Sequence, residues 1–268
     1  MLRHLNCATM CPRGGRLLGG SGGPLAEATL VAHCLLVEAG DGLALVDTGL
    51  GAADVASPKR LGQPFRALVR PRCRESETAV RQIERMGLDP RDVRHVALTH
   101  LDVDHAGGLG DFPQAQVHVF APELAAARKP PLRERGRYVK AQWAHGPRWA
   151  EHELEGDRWF GFDSVRLLPD LPVEIAMVPL TGHSTGHAGI AVNTGQGWLL
   201  HCGDAYFNHE EIATPHSCPR GLRLFQNVVG HDRELRRHNQ ERLRELAREH
   251  REDVQLICSH DPVYMSAG

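Results

Sequence analysis

Residues 93–108 read Val-Arg-His-Val-Ala-Leu-Thr-His-Leu-Asp-Val-Asp-His-Ala-Gly-Gly, and this stretch constrains the chain more than any other. The apolar run Val93 to Leu98 has the length and composition of a buried strand. It delivers four metal-capable side chains, His100, Asp102, Asp104 and His105, within six residues, and two glycines follow. Imidazole and carboxylate are the ligands that hold Zn, Fe or Mn. Burying two carboxylates in one loop has little structural use, because their desolvation is costly unless a cation or a donor compensates. A polar turn before a helix, with Asp104 as its cap, is the bland alternative. Ligands set directly after a buried strand would stand at its C-terminal edge.

Four further segments carry matching chemistry in order along the chain. Asp47-Thr48-Gly49 follows the apolar run Leu43 to Val46. Thr181-Gly182-His183-Ser184-Thr185-Gly186-His187 forms a second loop, Cys202-Gly203-Asp204-Ala205 a third, and Ile257-Cys258-Ser259-His260-Asp261 a last. Taken together, these segments resemble the metallo-β-lactamase superfamily, whose signature is His-x-His-x-Asp-His. The likeness spans about Val31 to His260 and departs from the signature at Asp102, where the family's second histidine would stand.

The resemblance implies an α/β chain folded as a four-layer αββα sandwich, here a single domain over residues 1–268. It also implies two metal positions. The first would use His100, Asp102 and His183, the second Asp104, His105 and His260, with Asp204 as the bridge. Zn is the first choice of metal, with Fe or Mn as alternatives. Two such cations lower the pKa of a shared water, so that a bridging hydroxide is available near neutral pH. Asp104 would position that nucleophile and relay a proton to the leaving group. A carboxylate at Asp102 adds negative charge and a harder ligand, which favours Fe or Mn over a soft-ligand site; the diiron flavoprotein branch of the superfamily is similar at that point. Tyr206, two residues past Asp204, is a second catalytic candidate, as a donor to a carbonyl oxygen, with a packed tyrosine as the alternative. His187 reads as a support for the ligands, and His33, His95 and His201 as packed histidines. His145 is a candidate to line the pocket.

Composition bounds the partners. Lys plus Arg number 31 and Asp plus Glu 33, so no basic surplus points to nucleic acid. No run reaches the length of a membrane span, and the first residues lack an apolar signal core, so a cytoplasmic enzyme acting on a small molecule is expected. Oligomeric state stays open, a homodimer being one option. Seven scattered cysteines, an odd number, fit free thiols better than a disulfide framework. Cys7 and Cys11 read as buried small residues.

Periodicity places the other elements. Val31 to Glu38 and Leu43 to Val46 read as a hairpin, Ser76 to Met86 as a helix, and Gln116 to Phe120 as a strand leading into a helix from Ala121. Strands are expected at Val165 to Leu168, Glu174 to Val178, Gly189 to Val192, Trp198 to His201 and Val254 to Cys258. Asp232 to Glu249 reads as an amphipathic helix with Leu235, Leu243, Leu246 and Ala247 inward and its Arg and Glu residues solvated. Lys129 to Gly161, with Pro130-Pro131, dense charge and three tryptophans, reads as an insertion at the site mouth, either a charged loop or an aromatic lid.

The leading expectation is a metal-dependent hydrolase of a small lactone, thioester or other carboxylic ester, similar to glyoxalase II-like and acyl-homoserine lactonase-like members of the family. A non-haem iron redox enzyme on the same fold comes second, and a phosphodiesterase or nuclease third.

Overall fold

The computed structural model describes residues 1–168, 171 and 173–265. Two six-stranded sheets carry the chain in sequence. The first has the order β1 (Leu2–Met10), β2 (Leu30–Ala39), β3 (Gly42–Val46), β4 (Val93–Ala97), β5 (Gln116–Phe120) and β6 (Arg148–His152). The second runs β12 (Val254–Ile257), β11 (Trp198–His201), β10 (Ala188–Asn193), β9 (Ile175–Pro179), β8 (Phe162–Leu167) and β7 (Asp157–Trp159). Strands β1 to β3 pair antiparallel and β3 to β6 parallel. Helices α1 (Ala52–Ala56), α2 (Gln63–Val69), α3 (Ala79–Arg85), α4 (Ala121–Arg128), α5 (Arg220–Val229) and α6 (Arg233–Glu249) complete the element list.

The apolar pattern explains the layering. Strand β2 is buried on both faces, as expected of a strand with structure on either side. Its Leu35 and Val37 join Ile190, Met177 and Ile257 in the core between the sheets. Its Cys34 and Leu36 point the other way, into a core with Ile83 of α3 and Leu124 of α4. Leu243 and Leu246 of α6 pack with Val178, Leu200 and Leu256 on the outside of the second sheet. Helix, sheet, sheet and helix thus form an αββα sandwich. No helix among the described residues is long and apolar enough to cross a membrane. All seven cysteines are free, and Cys7 and Cys11 are buried.

Three expectations change. The helix read over Ser76 to Met86 begins as a 3-10 turn at Glu75–Glu77 and becomes α-helical only from Ala79. Leu235 is 39% exposed; the inward stripe of α6 is instead Arg236, Asn239, Gln240, Leu243 and Leu246, so three of its five residues are polar. Segment 129–161 divides. Two 3-10 turns, Leu132–Glu134 and Lys140–Gln142, lie in its first half, whereas its second half supplies edge strands β6 and β7. Trp143 and Trp149 pack on one outer core and Trp159 on the other, so none of the three tryptophans is a lid aromatic.

Between the sheets lies a polar ladder. His95 Nδ1 sits 3.0 Å from His118 Nε2, and His118 Nδ1 3.0 Å from His152 Nε2, across β4, β5 and β6. On the same inner face, His4 Nδ1 is 2.8 Å from His33 Nε2. These histidines are structural, as expected of His33 and His95. Burial, reinforced by the neighbouring imidazoles, pushes His118 down to about 3 and His33 down to about 2. An unfolded chain binds protons at both below about pH 6.5, whereas the folded chain does not, so their stabilisation is present above pH 6.5 and is lost as pH falls toward the folded values. Urea midpoints of metal-free protein should fall steadily from pH 7 to pH 5. The slope approaches about 1.4 kcal/mol per pH unit for each such buried histidine, and His118→Gln should remove one group's share of it. A flat profile over that interval would contradict the assignment.

Candidate metal centre

Four loops at one rim of the sandwich meet where the sheets adjoin. The first leaves β4 as residues 98–106, the second leaves β9 as 180–187, the third leaves β11 as 202–206 and the fourth leaves β12 as 258–261. Backbone bonds lock them together. Ala188 N donates to Thr99 O at 2.8 Å, Cys202 N to Ile257 O at 2.7 Å, and Ser259 N to Gly203 O at 3.1 Å. Gly203 has φ +54°, and a Cβ there would stand 2.6 Å from His187 Nε2, so the turn presenting Asp204 requires glycine.

The predicted ligands converge. Each of two groups, His100 with His183 and Asp204, and Asp104 with His105 and His260, presents ligand atoms within 4.8 Å of one another. Asp204 lies between the groups: its Oδ1 is 3.3 Å from His105 Nε2, and its Oδ2 is 3.5 Å from His183 Nε2, 3.1 Å from His260 Nε2 and 4.0 Å from His100 Nε2. Asp102 Oδ2 is 3.4 Å from His100 Nε2 and 3.1 Å from His183 Nε2. Donors about 2.1 Å from a tetrahedral cation stand about 3.4 Å from each other, so these spacings suit a shared ion. Asp104 Oδ2 is 3.8 Å from His260 Nε2.

Three of the four imidazoles are fixed through their other nitrogen, whereas His183 Nδ1 is buried without a hydrogen-bond partner. His105 Nδ1 donates to Asp47 Oδ2 at 2.8 Å, His260 Nδ1 to Val31 O at 2.8 Å, and His100 Nδ1 meets Thr99 Oγ1 at 2.9 Å. Thr99 Oγ1 in turn donates to Asp47 Oδ2 at 2.7 Å. Such outer partners set the tautomer and leave the Nε2 lone pairs directed at the centre. His100 Nε2, His105 Nε2 and Asp204 Oδ1 are buried without a hydrogen-bond partner. Orphaned, converging imidazole and carboxylate atoms fit divalent cations and little else.

The protons follow the same geometry in metal-free protein. Burial opposes charge on His105, but the carboxylates of Asp204 and Asp47 overcome it and raise its pKa well above the ordinary histidine value. Burial likewise works against ionised Asp102, yet Arg137 and then His100 hold it well below the usual carboxylate range. Burial and the nearby Arg137 push His183 down to about 4.

Other candidates fall outside the centre. Tyr206 is 0% exposed in the core beneath α6, its hydroxyl 3.3 Å from that of Tyr264. A hydroxyl sealed there does not meet a substrate carbonyl, so the packed alternative describes it. His187 Nε2 accepts from Asp204 N at 2.9 Å, and its Nδ1 donates to Leu180 O, a supporting role as expected. His201 donates to His33 O and is also structural. His145 is exposed, beside Gly110.

Three supports escaped the sequence. Glu123, wholly buried in the first turn of α4, accepts from Leu101 N at 3.0 Å, Ser184 Oγ at 2.7 Å and Gly186 N at 3.0 Å, so one carboxylate ties the first ligand loop to the second. A Cβ at Gly186 would lie 2.4 Å from Glu123 N, which is why that loop position is glycine. The polar face of α6 braces the same loops, Asn239 donating to Thr181 O at 2.7 Å and Gln240 to Ala205 O at 2.8 Å. Arg137, from a run dense in charge, brings a guanidinium to Asp102 with Nη1 3.1 Å from Oδ2. No local pattern marks any of these residues, because each contact is made far away in sequence.

Glu123→Ala would leave three buried donors without an acceptor. At about 1–3 kcal/mol per orphaned group, the loss of stability should be roughly 3 kcal/mol or more. Denaturant unfolding of metal-free protein reads this directly, and an unchanged midpoint would mean that the two loops hold together without the carboxylate.

Comparisons with known proteins identify the family. A family model described as the metallo-beta-lactamase superfamily matches residues 29–249. A probable metallo-hydrolase of Mycobacterium tuberculosis is 44% identical over 262 residues, 97% of this chain and 80% of that protein. An N-acyl homoserine lactonase of Azorhizobium caulinodans is 28% identical over 197 residues, 72% of this chain and 67% of that one. Among solved structures, an N-acyl homoserine lactone hydrolase with the product N-hexanoyl-L-homoserine at its catalytic metal center covers 100% of this chain and 95% of its own, with TM-score 0.73 at 21% identity. A dizinc quorum-quenching lactonase covers 97% and 87%, with TM-score 0.62 at 15% identity. At those identities the solved structures share the fold. With the family model spanning most of its length, the chain belongs to the metallo-β-lactamase superfamily.

Proposed function

We propose that the protein is a two-metal hydrolase of a small lactone or related carboxylic ester. The observation that carries this reading is the pair of ligand groups sharing Asp204. The lactonases among its relatives favour lactones over thioesters within that class. Two divalent cations bound there would supply an activated water and polarise the scissile carbonyl.

The chain's own residues do the rest. Asp104 Oδ2 faces the centre, 3.8 Å from His260 Nε2. That oxygen is the group to hold the proton lost by the attacking water and return it to the leaving alkoxide. Asp204 keeps the two ligand groups in register. Phe207, whose ring centroid lies 4.6 Å from that of His260 and 6.1 Å from that of His183, gives the site an apolar wall. Phe225 continues it 5.8 Å further on, toward the exposed Leu224 and Val228 of α5. An apolar wall beside a polar reacting centre suits an ester with a hydrophobic acyl part.

Elemental analysis of protein purified without added metal should find about two divalent ions per chain. The same protein should open lactones in a panel that also holds thioesters and phosphodiesters, and a chelator should abolish that turnover. Lactone turnover that survives complete removal of metal would refute the reading. Oxygen uptake by iron-loaded protein without ester turnover would favour the redox alternative.

A further inference from the structure

The carboxylate at Asp102 raises a problem of charge. Asp102, Asp104 and Asp204 bring three negative charges to one buried volume, where an imidazole at position 102 would leave two. Arg137 supplies the difference. Its side chain is 7% exposed, against 17% for Asp102, and its Nη1 lies 3.1 Å from Asp102 Oδ2. That same oxygen faces His100 and His183 at 3.4 and 3.1 Å. A guanidinium is always protonated, so the charge is present at every working pH. Arg137 is also anchored away from the centre, since its Nη2 donates to Val229 O at the end of α5. Neighbouring bonds fix its segment: Arg133 Nη2 donates to His231 O at 2.9 Å, and His231 Nδ1 to Glu134 Oε1 at 2.7 Å.

We propose that Asp102 and Arg137 act as one charge-neutral ligand unit, taking the place of an imidazole at the first metal position. Asp102 supplies the ligand oxygen. Arg137 is a positioning residue that cancels its charge at ion-pair distance. Three carboxylates and one guanidinium sum to the same −2 that two carboxylates and an imidazole would give. The first position is therefore no more anionic than a three-histidine site, and the carboxylate does not by itself select Fe or Mn. This inference rests on the two-metal reading above.

The pairing predicts reciprocal rescue. Arg137→Leu leaves an uncompensated carboxylate, and Asp102→His leaves an unpaired buried guanidinium. Each single variant should lose thermal stability and bind about one metal per chain in place of two. The double variant D102H/R137L should regain both the melting temperature and the second metal. An Arg137 serving only to hold the Val229 carbonyl would show no such rescue. Arg137→Lys, which keeps the charge but not the fork, should retain more metal than Arg137→Leu, and it carries the comparison if Arg137→Leu fails to fold.

Melting temperatures are read on chelated and metal-loaded protein, and metal is counted by elemental analysis. Two metals in the wild type with no recovery in the double variant would overturn the unit and leave the hydrolase reading intact. Two metals retained by Arg137→Leu at an unchanged melting temperature would do the same. A wild type that binds no metal would overturn the two-metal reading and the ligand unit with it. Rescue of melting temperature in chelated protein alone, without recovery of metal, would reduce the pair to a structural ion pair and overturn its ligand role.

Discussion

Everything at the functional rim depends on keeping like charges buried together. Asp104 and Asp204 converge with His100, His105, His183 and His260 where almost no water reaches, and the partly exposed Asp102 stands beside His100 and His183. Removing such groups from water costs several kcal/mol each unless opposite charge is placed among them. The metal-free chain supplies some of that charge by raising the pKa of His105 and His260 against their burial. A divalent cation would supply it more fully and would take the same Nε2 atoms. Protons and metal therefore compete for one set of lone pairs, and metal affinity is tied to pH through the same residues that bind it.

The fold meets this demand by dividing labour. Four apolar clusters among the described residues, one between the sheets, one outside each and a smaller one around Met10, Leu50 and Leu61, provide stabilisation and contain no candidate ligand. The ligands sit on loops that leave strand ends at one rim, so the strands fix where each loop starts and short hydrogen bonds fix where it finishes. Glu123 joins the first loop to the second, Asp47 joins Thr99 to His105, and α6 holds the bases of the second and third through Asn239 and Gln240. These bonds use none of the Nε2 atoms directed at the centre.

How much of this was legible follows from where each signal lies. The candidate ligands His100, Asp102, Asp104 and His105 stand close together in sequence, and a dense cluster of that kind has few other uses. His183, Asp204 and His260 were legible because each stands in a glycine-marked or strand-terminal loop whose order along the chain could be matched. The sheets were legible because strands buried on both faces read as continuous apolar runs. Tyr206 misled because nearness in sequence to Asp204 suggested nearness in space, whereas the chain turns at Gly203 and carries the ring under α6. The segment 129–161 misled because its charges and prolines hid two edge strands, whose outer sides tolerate polar residues. Glu123, Arg236 and Arg137 gave no signal at all, since a buried charged residue and a solvated one are spelled alike and differ only in a distant partner.

Arg137 gives the sharpest case of that last limit, and it alters how Asp102 is understood. Read alone, a carboxylate where the family's histidine stands implies a harder and more anionic site. Read with its guanidinium neighbour, it returns to the charge of the common pattern, with the compensating cation anchored from outside the centre. The cost is dependence on segment 132–142, because the compensating charge sits on a strap fastened to α5 and not on the sheets. The strap is tied at its far end as well, where Gln142 Nε2 donates to Val103 O beside the ligand loop at 2.9 Å. A segment fixed at both ends and carrying a charge on which a ligand depends is part of the metal site, and any motion that opened it would also unbalance the centre.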